Sequence, residues 1–209
     1  MVRIKICGLT DPDEAREVAG LGVDAIGLVF ARSPRKVEME QARAIVAVLP
    51  PLVQSVGVFV NETAEVIRRA VDHCGLDLVQ LHGEEGPELC AALYPRVIKA
   101  VRVRSREDIL RAVPYRDLVR GFLLDTHSEK AHGGTGVTFD WSLAVEAVDV
   151  LARPIILAGG IRPENVREAV GAVRPWGVDA SSGVEATPGR KDLYRVRSLV
   201  EAVREIPVT

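Results

Sequence analysis

Eight times along the chain, a short run of β-branched and other apolar residues gives way to a longer amphipathic stretch. The apolar runs begin near Arg3, Ala25, Gln54, Leu78, Val97, Gly121, Pro154 and Val178. Each has the length, roughly 4 to 8 residues, of a strand buried on both faces. Helical patterns begin near Asp11, Glu40, Thr63, Gly86, Ser105, Asp140, Pro163 and Lys191. Several carry start signals: Asp11-Pro12 reads as an N-cap with proline at the first helical position, and Arg162-Pro163-Glu164 as a similar opening. Asn61 to Glu65 offers polar caps with an acid in the first turn. Eight βα units in 209 residues are what a compact (β/α)8 TIM barrel requires, so residues 1–209 are expected to form one such domain. A doubly wound open sheet usually has fewer strands and a glycine fingerprint after the first. Cys7-Gly8-Leu9-Thr10 is not that fingerprint.

A formal net charge of -2 with dispersed Lys and Arg leaves no broad basic face, which argues against nucleic acid or a membrane surface as partner. Arg3 and Lys5 interrupt the first apolar run, so no signal peptide is expected. No apolar stretch approaches the roughly 20 residues needed to cross a bilayer. Cys7, Cys74 and Cys90 are odd in number and widely spaced, which points to reduced thiols and a cytoplasmic protein. Monomer and homodimer are both compatible with the sequence.

In a TIM barrel the chemistry sits at the carboxyl ends of the strands. Cys7 ends the first. Free cysteine is often a buried packing residue, but at this place a thiol can act as base or nucleophile. Arg35, in the basic loop after the second strand, suits a substrate carboxylate because guanidinium presents a planar fork. Gln80 and His82 end the fourth strand, where the histidine is read as positioning or packing. Lys99 and Arg102 lie on the fifth, with one of them expected to point into the mouth. Asp125 closes the sixth as the second catalytic candidate, followed by a loop bearing Gly133-Gly134-Thr135-Gly136. After strands seven and eight come Gly159-Gly160-Ile161 and Ser181-Ser182-Gly183, at the usual phosphate position of this barrel. A short helix at the second turn would aim its positive end at the anion. Asp179, just before the serines, is a candidate to orient neighbours or contact a substrate hydroxyl.

These residues resemble the phosphoribosylanthranilate isomerase family along almost the whole chain. The resemblance rests on Lys5-Ile6-Cys7-Gly8-Leu9-Thr10, Phe30 to Arg35, Gln80-Leu81-His82-Gly83, Leu124-Asp125, Gly133 to Gly136, Leu157-Ala158-Gly159-Gly160 and Asp179 to Glu185, in the family's order and spacing. Ala180 departs from the valine expected there. The resemblance implies an Amadori rearrangement of a phosphoribosyl anthranilate in tryptophan biosynthesis, with no metal or organic cofactor. It implies Asp125 as acid and Cys7 as base. It places Arg35 on the anthranilate carboxylate and Gly160, Ser181, Ser182 and Gly183 on the ribose phosphate. Two rivals are a sugar-phosphate epimerase holding a metal through Cys7, His82 and Asp179, and a barrel that binds a phosphorylated metabolite as a sensor.

Overall fold

The computed structural model describes residues 1–125 and 141–206. Eight parallel strands close a barrel in sequence order: β1 Arg3–Cys7, β2 Ala25–Val29, β3 Gln54–Phe59, β4 Leu78–Leu81, β5 Val97–Arg102, β6 Gly121–Asp125, β7 Ile155–Ala158 and β8 Gly177–Ala180. The ring closes where β1 meets β8, with Lys5 opposite Asp179. Helices α1 Pro12–Gly20, α2 Met39–Ala47, α3 Ala64–Cys74, α4 Pro87–Leu93, α5 Arg106–Ala112, α6 Trp141–Leu151, α7 Val166–Val173 and α8 Leu193–Arg204 follow the strands in turn. Apart from the starts of α7 and α8, strands and helices therefore fall where the alternation of the sequence puts them.

The side-chain period of two along each strand divides the apolar residues into two cores. Val56, Leu78, Ile98, Ala100, Leu123 and Ile156 fill the barrel interior. Ile4, Ile6, Ile26, Leu28, Val79, Leu81, Phe122 and Leu124 face the other way, into the layer between sheet and helices. Each fully buried aliphatic side chain there contributes roughly 1.5–3 kcal/mol against exposure. The same period turns Lys5 and Cys7 inward, because Ile4 and Ile6 belong to the outer layer. A charged residue thus stands within the barrel, beneath the mouth.

Helix starts follow local capping. Asp11 accepts the Glu14 N–H at 2.9 Å, with Pro12 opening α1, and Thr63 accepts from the Val66 N–H at 3.3 Å. Two expectations need correction. Pro163 lies in a turn, and α7 begins only at Val166, because the Asn165 side chain accepts the Arg162 N–H and donates to the Gly160 carbonyl. Lys191 does not open α8. It belongs to a short hairpin of β9 Glu185–Thr187 and β10 Arg190–Lys191, after which Asp192 caps the helix by accepting from Tyr194 and Arg195. Among the described residues, no helix is long and apolar enough to cross a membrane.

Candidate active site

Cys7 ends β1 with its thiol turned over Gly27 of β2, where an added Cβ would stand 2.7 Å from Sγ. Only glycine leaves room for sulfur there. Two residues earlier on the same strand face, Lys5 Nζ sits 2.8 Å from Asp179 Oδ1, with side chains only 5% and 9% exposed. The ammonium shares the inner face of β1 with the Cys7 thiol, two residues along the strand. Burial pushes the Cys7 thiol up, and Lys5 is the chief influence pulling it back. Burial would lower Lys5, but Asp179 and Cys7 together hold it above its ordinary value.

Across the mouth, Asp125 ends β6 on the inner face set by Leu123. Its Oδ2 is 3.3 Å from His82 Nε2, and His82 Nδ1 is 2.9 Å from Gln80 Nε2. With the Gln80 amide donating, Nδ1 accepts and Nε2 carries the proton toward Asp125. Gln80 is buried inside the barrel, whereas His82 and Asp125 are about one quarter exposed. The row leads from the interior to the solvent-facing carboxyl.

Arg35 rises from the β2–α2 loop and lies over Gly8, where an added Cβ would meet its Cδ at 2.4 Å. Gly8 has φ +84°, so its lack of a side chain serves both backbone and neighbour. Arg35 Nε and Nη2 donate to Glu185 Oε1 and Oε2, 2.7 Å each. Glu185 also accepts from Lys191 Nζ at 2.8 Å and from the Gly189 N–H at 3.2 Å. Although burial opposes it, this cationic shell holds the Glu185 carboxyl down at about 2. Arg35 keeps further N–H donors beyond those given to Glu185.

The turns after β7 and β8 meet. Gly159 and Gly160 adopt φ of +83° and +73°, and Gly183 is packed so closely that an added Cβ would stand 2.0 Å from the Ile161 carbonyl. Space opens above Gly160, where an added Cβ meets nothing within 4 Å. Two backbone turns held together beside an open space can present amides to an anion.

Residues 4–202 match the family model of N-(5'-phosphoribosyl)anthranilate isomerase. The chain belongs to this family. A Pelobacter propionicus N-(5'-phosphoribosyl)anthranilate isomerase is 48% identical over 206 residues, spanning 98% of this chain and 97% of the relative. A solved phosphoribosylanthranilate isomerase in complex with reduced 1-(o-carboxyphenylamino)-1-deoxyribulose 5-phosphate superposes with TM-score 0.88 and 44% identity, over 99% of this chain and 100% of the other. A third relative comes from mutually generated monomers of the dimeric Thermotoga maritima enzyme. It superposes with TM-score 0.87 and 43% identity, again over 99% and 100% of the two chains. This is an isomerase of tryptophan biosynthesis on a TIM barrel.

Within this isomerase, the described site resolves the choice between Lys99 and Arg102 and departs from the sequence expectations in two places. Lys99 does not enter the mouth: its Nζ is tied to the Gly83 carbonyl at 2.7 Å and to Glu85 at 2.9 Å, bracing the β4–α4 loop. Arg102 instead lies at the rim, exposed and paired in register with Asp125. Ser181 spends its hydroxyl proton on the Cys7 carbonyl at 3.0 Å, so its side chain fastens β8 to β1. The element after β8 is a single 3-10 turn, Ser182–Val184, too short to present the dipole of a helix. Gly133 to Gly136 lie outside the described residues. Among the described residues no three His, Cys, Asp or Glu side chains converge as metal ligands, and His82 faces Asp125 rather than joining Cys7 and Asp179.

Sequence reasoning gave no role to Lys5, Glu185 or Lys191. A signal existed for Lys5: it precedes Cys7 by two residues in a strand, which fixes both on one face. Glu185 and Lys191 gave no such signal, because Lys191 meets Glu185 only after the hairpin folds β10 back on β9, and Glu185 meets Arg35 across 150 residues.

Proposed function

We propose that Cys7 and Asp125 are the base and acid that convert N-(5'-phosphoribosyl)anthranilate to 1-(2-carboxyphenylamino)-1-deoxy-D-ribulose 5-phosphate. The observation that carries this reading is their placement. They end strands on opposite sides of one mouth, between the Arg35–Glu185 clamp and the glycine turns after β7 and β8. Arg35 binds the anthranilate carboxylate through the donors that Glu185 leaves over. The amides around Gly160, Ser182 and Gly183 bind the phosphate, with Ser181 holding the β8 turn against β1. Anchoring both ends fixes the sugar between acid and base.

The Asp125 carboxyl gives its proton to the ribose ring oxygen, the C1–O bond breaks, and the nitrogen lone pair closes an iminium ion. The Cys7 thiolate then removes the C2 proton, and the C2–H electrons neutralise the iminium as an enamine. A proton passes from the C2 hydroxyl to C1, leaving the ketone. The extra proton on Cys7 and the one missing from Asp125 then cancel through solvent. His82, braced by buried Gln80, sets the direction of the Asp125 carboxyl, and Asp179 acts from below through Lys5. No step calls for a metal or an organic cofactor.

We further propose that residues 1–209 act as one catalytic domain, in the cytoplasm, as a homodimer like the Thermotoga relative. Trp176 and Leu52, 52% and 92% exposed, lie toward the amino-terminal ends of the strands, away from the site. A cavity of about 160 Å³ opens on that face. Sedimentation of the full chain tests the dimer.

The test of the activity is loss of anthranilate-adduct fluorescence when chelator-treated protein meets freshly made substrate. Decay above the uncatalysed background, with the carboxyphenylamino-deoxyribulose phosphate as product, is expected. Phosphate binding without turnover would favour the sensor, and turnover restored only by added metal the epimerase-like rival.

A further inference from the structure

We propose that Lys5 is a positioning residue that supplies the counter-charge for the Cys7 thiolate, and that Asp179 meters that charge by holding the ammonium beneath the mouth. This rests on the reading of Cys7 as the base. Four charged groups from four parts of the fold act on Cys7: Lys5 on β1, Asp179 on β8, Lys191 on β10 and Arg35 from the β2–α2 loop. Arg35 and Lys191 are both engaged by Glu185, at 2.7 and 2.8 Å. That one carboxylate offsets only one of their two charges, and both cations are drawn toward Glu185.

Lys5 differs in place and in partner. It shares the inner face of β1 with Cys7, is buried to 5% exposure, and meets Asp179 through one oxygen at 2.8 Å. An ammonium has three N–H groups, so one carboxylate oxygen leaves donors for the sulfur. A buried thiol is poorly ionised unless a cation adjoins it. In that setting Lys5 favours the thiolate and Asp179 opposes it, both through the same ammonium. No proton moves through the pair during turnover. Cys7 receives the C2 proton, and Lys5 and Asp179 stay charged.

This arrangement makes a prediction of sign that a merely structural pair would not. The rate of iodoacetamide alkylation of Cys7 in the full-length protein, read by mass spectrometry against pH, reports the thiolate. Cys74 and Cys90 are 2% and 0% exposed and serve as internal controls. Lys5→Met is expected to move the Cys7 midpoint up by a unit or more, slowing alkylation at pH 7 about tenfold. Asp179→Asn, nearly isosteric, is expected to move it down and to speed alkylation.

The acid limb of kcat/KM is expected to follow in the same two directions. An unchanged midpoint in both variants, or shifts of the same sign, would overturn the proposal. Should Lys5→Met not fold, Asp179→Asn alone decides: a midpoint that rises or stays still overturns it. Opposed alkylation shifts with an unmoved acid limb would instead sink the role of Cys7 as base, which full turnover by Cys7→Ala would reveal separately.

Discussion

Glu185 grips Arg35 with both carboxylate oxygens, Nε to Oε1 and Nη2 to Oε2 at 2.7 Å each, across 150 residues of sequence. The contact fastens the loop after β2 to the hairpin after β8 and fixes the guanidinium before any ligand arrives. A side chain oriented in advance loses less freedom on binding.

Arg35→Ala is therefore expected to raise KM by about 10- to 100-fold, the size of a lost charge-assisted pair, with a smaller loss in kcat. Glu185→Gln should raise KM by less, since Arg35 remains but is no longer held in a two-pronged grip. Steady-state kinetics of both variants check this. An unchanged KM in Arg35→Ala would remove Arg35 from the carboxylate contact.

The same carboxylate makes stability depend on acid. Glu185 is held down at about 2 in the folded chain, against an ordinary value near 4.3 when unfolded. The unfolded chain therefore takes up the proton first, and the stabilisation is present above about pH 4 and is lost as pH falls toward 2. Urea unfolding at pH 6 and pH 3 should show a loss in the wild type that is visibly smaller in Glu185→Gln. Equal losses in both proteins would show that other carboxylates govern acid unfolding.

Gly27 tests the placement of the thiol without touching it chemically. An alanine methyl would stand 2.7 Å from Cys7 Sγ and 3.0 Å from its Cα, so the sulfur or the strand must shift. Misplacing a reacting group by about 1 Å costs on the order of 100-fold in rate. Gly27→Ala is expected to lose kcat on that scale with a modest fall in Tm, measured by turnover and calorimetry. Wild-type kcat would mean that the thiol has slack.

The barrel was legible because its cause is local. Short continuous apolar runs and caps such as Asp11-Pro12 act within a few residues, and they mark the eight units of the sequence. Cys7 and Asp125 were legible as strand-end candidates, and Arg35 as a mouth-loop candidate, once the units were counted. Lys5–Asp179 and Glu185–Lys191–Arg35 were not, because each pairs residues distant in sequence whose meeting depends on barrel closure or on the hairpin. The choice between Lys99 and Arg102 stayed open for a similar reason: one position of strand parity decides whether a side chain faces the mouth or the β4–α4 loop.

His82 gives a fourth expectation. Its Nε2 is 3.3 Å from Asp125 Oδ2, with Gln80 behind it. If His82 orients Asp125, His82→Ala should lower kcat about tenfold, less than the roughly 100-fold or more that a direct acid or base contributes, and leave KM nearly unchanged. A rise in KM with kcat intact would instead place His82 on the substrate.

The central claim is that one thiol and one carboxyl share the proton transfers, and single-turnover and steady-state rates of Cys7→Ala and Asp125→Asn test it most directly. Both variants are expected to fold with near wild-type Tm and to lose at least about 100-fold in kcat, with substrate binding retained. Wild-type turnover in either folded variant would contradict the account, and would move the acid or base role to another residue at the mouth.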